Sequence, residues 1–228
     1  MTTRILAIET SSAACSAALS VDGEVVERDA LAPRQHAALI LPMIESLLAE
    51  SGCAVGELDA IAFGRGPGSF TGVRIAASIV QGIAFAADLP VIPVSTLAAL
   101  AFGAMRESSV PRVIAALDAR REEVYWACYE RTADGVLLLG DEHVCTPDAA
   151  PSLPAGDWVA AGSGWEAYAE ILMPRFGEQL VRVLPDLEPR AGDVVRIAIG
   201  EYRRGSLVKP EDAVPVYLRD NVADVKRP

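Results

Sequence analysis

Residues 4–30 read RILAIETSSAACSAALSVDGEVVERDA, and their pattern decides the fold class. Ile5 to Ile8 is an apolar run that stops at Glu9-Thr10-Ser11-Ser12. Cys15 to Val21 follows, then Asp22-Gly23, then Glu24 to Asp29. An Asp-Gly pair between two strand-like runs is a hairpin signal, because the tight turn needs positive φ. The opening therefore predicts three consecutive strands.

Outward from this start, Leu39, Ile40, Met43, Ile44, Leu47 and Leu48 recur at helical steps. Gly52 is a natural stop, and Pro42 should kink this helix or mark an early turn. Asp59 to Phe63 reads as a short buried strand running into GRGPGSFTG (64–72), then a helix over Val73–Ala87. Val91–Val94 is another strand, and Ser95 or Thr96 caps a third helix through about Met105. The order βββαβαβα then begins again. Val113–Leu117 ends at Asp118, Val124–Glu130 alternates, and Asp134-Gly135 repeats the turn before Val136–Leu139. This is a degenerate internal duplication, with Glu9 and Asp118 in matching places. Past Val144, prolines 147, 151 and 154 break the chain into loops. A strand at Trp158–Ala161, a helix to about Leu172 and a last helix over Ala191–Arg203 complete the reading, with a partly ordered tail. The expected division is an N-terminal lobe over 1–106 and a smaller C-terminal lobe over 107–228.

Composition narrows the functions. The chain has 228 residues, 51% hydrophobic, enough for a core without metals or disulfides. Its net charge of −11 repels phosphate backbones, which argues against independent nucleic-acid binding. Cys15, Cys53, Cys128 and Cys145 form no CxxC pair. With only His36 and His143, a His-rich metal site is not available, and His36 reads as a solvated or capping residue. The first residues lack a signal peptide's pattern, and the uncharged stretch Leu89–Met105 is interrupted by prolines. A cytoplasmic protein with no membrane span is expected.

Two constellations suggest chemistry. The glycine-rich loop lies between a strand and a helix, where backbone N–H groups can hold phosphate. It is neither a Walker loop nor a GxGxxG fingerprint, and the same glycines would equally serve a tight turn and close packing. Glu9, Thr10 and Ser11, with Gly66, Gly68 and Ser69 of the loop and Asp118 from the second half, are the nucleotide-binding candidates. An acid at each strand end could hold magnesium-bound water, or could merely cap the turns. The two helices of the first half are apolar over wide arcs or lined with small residues. Leu39, Met43, Val73, Arg74, Ala77 and Ile79 are candidates for a partner interface, with a core role as the alternative. A charge placed at Val73 or Ala77 should then block pairing and leave the monomer folded.

ILAIETSS (5–12), GRGPGSFTGVR (64–74), LDARREEVYWA (117–127) and PVYLR (215–219) together resemble the TsaB (YeaZ-like) family. The resemblance implies a two-lobed actin-like ATPase (ASKHA) α/β fold. It implies a subunit that stands beside a catalytic TsaD-type protein and a TsaE-type ATPase, meets tRNA only through that complex, and forms a homodimer alone. The complex would transfer threonylcarbamoyl from threonylcarbamoyl-AMP to tRNA adenosine. Catalytic relatives carry a metal-binding NHLEGHA segment after the same loop. Here the stretch is Ser95-Thr96-Leu97-Ala98-Ala99-Leu100-Ala101, with Thr96 and Leu100 in place of the histidines. A non-catalytic scaffold is therefore expected, with at most a weak ATP or ADP contact with magnesium. An ATP-dependent transferase or kinase-like enzyme of this fold is the alternative, and a metallopeptidase has less support.

Overall fold

The computed structural model describes residues 3–133 and 135–219. Ten strands form two mixed sheets. β1 (Arg4–Glu9), β2 (Ala14–Val21), β3 (Glu24–Leu31), β4 (Ala60–Gly64) and β5 (Val91–Val94) make the first, in the order β3-β2-β1-β4-β5. β6 (Arg112–Arg120), β7 (Glu123–Thr132), β8 (Gly135–Cys145), β9 (Trp158–Ala161) and β10 (Leu180–Leu184) make the second, in the order β10-β9-β6-β7-β8. Read in reverse, the second order repeats the first. The pairings repeat too. β1 is antiparallel to β2 and parallel to β4, and β6 is antiparallel to β7 and parallel to β9. The duplicated α/β architecture expected from the sequence is present in the strand topology.

Period-two alternation assigns each strand's faces. In β1, Ile5 and Ala7 face a central core, and Leu6 and Ile8 face an outer one. In β6, Val113, Ala115 and Leu117 join the same central core, and Ile114 and Ala116 face the opposite way. Helices fill the three spaces. α1 (His36–Ser51) and α2 (Phe70–Ala87) cover the outer face of the first sheet. α3 (Thr96–Arg106) and α6 (Ala191–Arg204) lie between the sheets, and α4 (Gly164–Ala167) and α5 (Ala169–Phe176) cover the far face. α3 is buried on almost every side, as an all-apolar helix must be.

Particular elements differ from expectation. Pro42 lies inside α1, on its exposed side, and does not mark its first turn. The counterpart of α1 in the second half is one 3-10 turn at Pro147–Ala149. β10 was not expected from the sequence: its five residues, LVRVL, sit in a polar neighbourhood, and its parallel pairing with β9 supplies the reason to be extended. The Asp22-Gly23 turn has positive φ at both residues, 53° and 89°, as the hairpin requires. Asp134 of the second turn lies outside the described residues. After α6 the chain returns to the first sheet: Val208 pairs with Val91, and Ala213 enters the outer core.

Candidate functional site

A cleft of about 1030 Å³ opens between the two halves. Its walls include the β1–β2 turn, the loop before α2, the end of β6, and the segment Val216–Arg219. Four of the expected nucleotide contacts line it: Ser11, Gly68, Ser69 and Asp118. Glu9, Thr10 and Gly66 do not, and the reasons are physical.

Glu9 and Thr10 are completely buried. Glu9 ends β1 next to Gly64 on β4, and the absent side chain there makes room for its carboxylate. A Cβ on Gly64 would stand 1.8 Å from Glu9 Oε2. The Ser11 N–H donates to Oε1 at 2.6 Å, and the Thr96 hydroxyl donates to Oε2 at 3.2 Å. Burial pushes the Glu9 carboxyl upward, and these hydrogen bonds only partly oppose it. The Thr10 hydroxyl donates to the Gly72 carbonyl at 2.8 Å. Ser11 and Thr96 hydroxyls lie 3.0 Å apart. Gly66, with φ of 95°, turns its carbonyl to the Thr96 N–H at 3.0 Å and faces the returning chain at Val216.

The glycines of the loop are therefore spaced to fit residues 9–11. Gly64 accommodates Glu9. A Cβ on Gly68 would meet Ser11 O at 2.5 Å, and one on Gly72 would meet Thr10 O at 2.0 Å. Close packing occupies these positions. Ser69 caps α2, its hydroxyl accepting from the Gly72 N–H at 3.3 Å.

Asp118 reaches the cleft but is also occupied. Its Oδ1 accepts from the Arg120 N–H at 2.8 Å and the Tyr168 hydroxyl at 3.0 Å, and Oδ2 pairs with the Arg120 guanidinium at 2.9 Å. Of the two acids expected to hold magnesium, Glu9 lies in the core, and Asp118 lies in the cleft wall beside Arg120 and Tyr168. No group of three or more His, Cys, Asp or Glu suited to a metal occurs among the described residues. Leu100 is fully buried in the central core beside α6.

The interface candidates divide as well. Val73 and Ala77 are 1% and 4% exposed; Ala77 belongs to the outer core under α1 and α2, and Val73 is buried beside Gly66 at the cleft. A charge there would strike the core instead of leaving the monomer folded, so that expectation is corrected. Leu39, Met43 and Ile79 are half-buried, and Arg74 is exposed, its guanidinium 3.2 Å above the Phe70 ring. The outer surface of α2 that sequence reading passed over carries Phe70, 55% exposed, and Phe85, 79% exposed; Leu41 of α1 is 46% exposed. Their signal was an apolar helix with more large side chains than one buried face can use. His36 is buried against the Ala14 carbonyl at 3.2 Å, neither solvated nor capping a helix end.

Comparison with known proteins follows the same lines. The family described as TsaD, tRNA N6-adenosine threonylcarbamoyltransferase, matches residues 30–227. The Escherichia coli K12 protein called tRNA threonylcarbamoyladenosine biosynthesis protein TsaB is 45% identical, over 99% of this chain and 98% of that relative. The chain belongs to the TsaB family. A Haemophilus influenzae TsaB is 40% identical over 98% of this chain and 97% of its own length. The solved structure of YeaZ from Pseudomonas aeruginosa superposes with a TM-score of 0.87 at 44% identity, covering 95% of this chain and all of that one. TsaB-family membership and the geometry agree on the fold: the glycine-rich loop that carried the resemblance is the segment moulded around residues 9–11.

Proposed function

We propose that this chain takes part in threonylcarbamoyladenosine biosynthesis on tRNA as a non-catalytic partner that pairs with a catalytic TsaD-type subunit. The observation that carries the pairing is α2. It is 18 residues long and mostly apolar, with Arg74 its one charged residue, yet only a third of it is buried within the chain. Its inner face packs on the first sheet, and its outer face leaves Phe70 and Phe85 exposed, as Leu41 of α1 is. An apolar face of this kind rimmed by polar residues is what protein interfaces bury. Names of close relatives supply the pathway. In this reading the same face supports a homodimer when the partner is absent, tRNA is met only through the complex, and a TsaE-type ATPase is the third component.

The internal use of Glu9, Thr96 and Asp118 supports a subunit without its own chemistry. One further role fits the cleft. Ser11, Gly68 and Ser69 line it at the start of α2, where a nucleotide phosphate would meet a helix N-terminus. Any ATP or ADP there would meet backbone and hydroxyl groups, with Asp118 in the same cleft wall.

The test mixes the purified chain with the catalytic paralogue, the ATPase, tRNA and threonylcarbamoyl-AMP, leaving out one component at a time. Modification that needs this chain, with none from the chain alone, is the expected result. Turnover by the chain alone would overturn the reading.

A further inference from the structure

On the side away from the cleft, a pocket of about 420 Å³ lies between the C-terminal halves of α3 and α6, closed by residues at the β7–β8 end. Four arginines line it: Arg106 from α3, Arg131 from β7, and Arg196 and Arg203 from α6. No acidic residue is among its described lining, in a chain whose net charge is −11. Phe102, Met105 and Ile199 give it an apolar floor.

Two neighbouring carboxylates, Asp193 and Glu27, offset part of this charge. Asp193 is buried and pairs with Arg106 at 2.8 Å, and Glu27 accepts from the Gly192 N–H at 2.7 Å. Arg131 donates to the carbonyls of Met105 and Ser108, which fixes its guanidinium at the rim. Arg196 donates to the Gly192 carbonyl and is held below its usual pKa by burial, with Arg106 adding repulsion. Arg203 is exposed and has no partner among the described residues. Cations at the ends of α3 and α6 complement the helix dipoles, which accounts for Arg106 and Arg203. Arg131, on a strand, adds to this by donating to the Met105 carbonyl in the last turn of α3, whereas the dipoles do not account for Arg196, mid-helix. Converging guanidiniums with free donors match phosphate oxygens in bidentate geometry.

We propose that this pocket binds the phosphate of a small phosphorylated molecule, with the apolar floor taking the organic part. A small ligand is favoured over RNA because the site is a small, half-open concavity on a protein that otherwise repels long polyanions.

Isothermal titration of the full chain with pyrophosphate and with AMP tests this. Saturable binding is expected, weakened at least about tenfold, roughly 1.4 kcal/mol, in both Arg203→Glu and Arg196→Gln. Arg204→Glu, an equal charge change on a residue outside the lining, should bind as the parent does. Circular dichroism of Arg203→Glu should match the parent, since the residue is exposed. No saturable binding of either probe at millimolar concentration would overturn the proposal. So would affinities unchanged in both pocket variants, or an equal loss in Arg204→Glu. Binding of an oligoribonucleotide through these arginines, with pyrophosphate and AMP inert, would overturn it in favour of RNA.

Discussion

Gly64 and Glu9 are neighbours across parallel strands, and the carboxylate takes the volume that a side chain on Gly64 would fill. Because burial raises the Glu9 pKa, the folded state holds that proton more tightly than the unfolded chain does. Its contribution to stability is full below the ordinary value of 4.5 and is lost as pH rises through the raised folded value. Glu9→Gln cannot ionise and keeps an acceptor for the Ser11 N–H. Its stability should therefore fall less than the parent's between pH 4.5 and neutrality in urea melts. Parallel pH curves for the two proteins would refute the burial account. Gly72→Ala is a stricter steric case, since its Cβ would meet the Thr10 backbone carbonyl at 2.0 Å. The expected loss is about 1–3 kcal/mol by denaturant unfolding, because backbone, unlike a side-chain tip, cannot swing aside. A neutral result would mean that α2 can shift against β1 freely.

At the scale of elements, α2 performs two tasks on two faces. Ala76, Ala77, Val80 and Ala84 seal the first sheet, and Phe70 and Phe85 are exposed on the other side. Phe85→Glu should change stability by no more than about 0.5 kcal/mol, as exposed substitutions do, yet abolish pairing with the catalytic paralogue in gel filtration. Val73→Glu should instead cost several kcal/mol and lose the folded monomer, because it buries a charge without a partner. Persistent pairing by the Phe85 variant would move the interface elsewhere. Helical spacing alone located α1 and α2. It could not separate the two faces of an apolar helix, since nearly every position is compatible with burial.

At the scale of the molecule, the two halves are joined by α3 and α6 between the sheets and by a polar contact at their edge. Glu142 of β8, its side chain 6% exposed, accepts from Arg65 at 3.2 Å and from the Tyr129 hydroxyl at 2.8 Å, and also from Ser95. Arg65 and Ser95 belong to the first half, and Tyr129 and Glu142 to the second. Arg65→Ala would leave a buried carboxylate without its cation, and about 3 kcal/mol should be lost in thermal or denaturant unfolding. Combining it with Glu142→Gln should recover much of that loss, and strict additivity would show that the pair is not coupled. The sequence by itself determined the succession of strands and helices in the first half, the start of its repetition, and the family, because alternation, helical spacing, Asp-Gly turns and short motifs are local signals. Only the tertiary structure decided that Glu9 turns inward, that Val73 and Ala77 belong to the core, that β10 exists, and that four arginines from α3, β7 and α6 meet in one pocket. Those outcomes depend on which surfaces lie opposite one another across a gap, and residues brought together over long sequence separations leave no period along the chain to read.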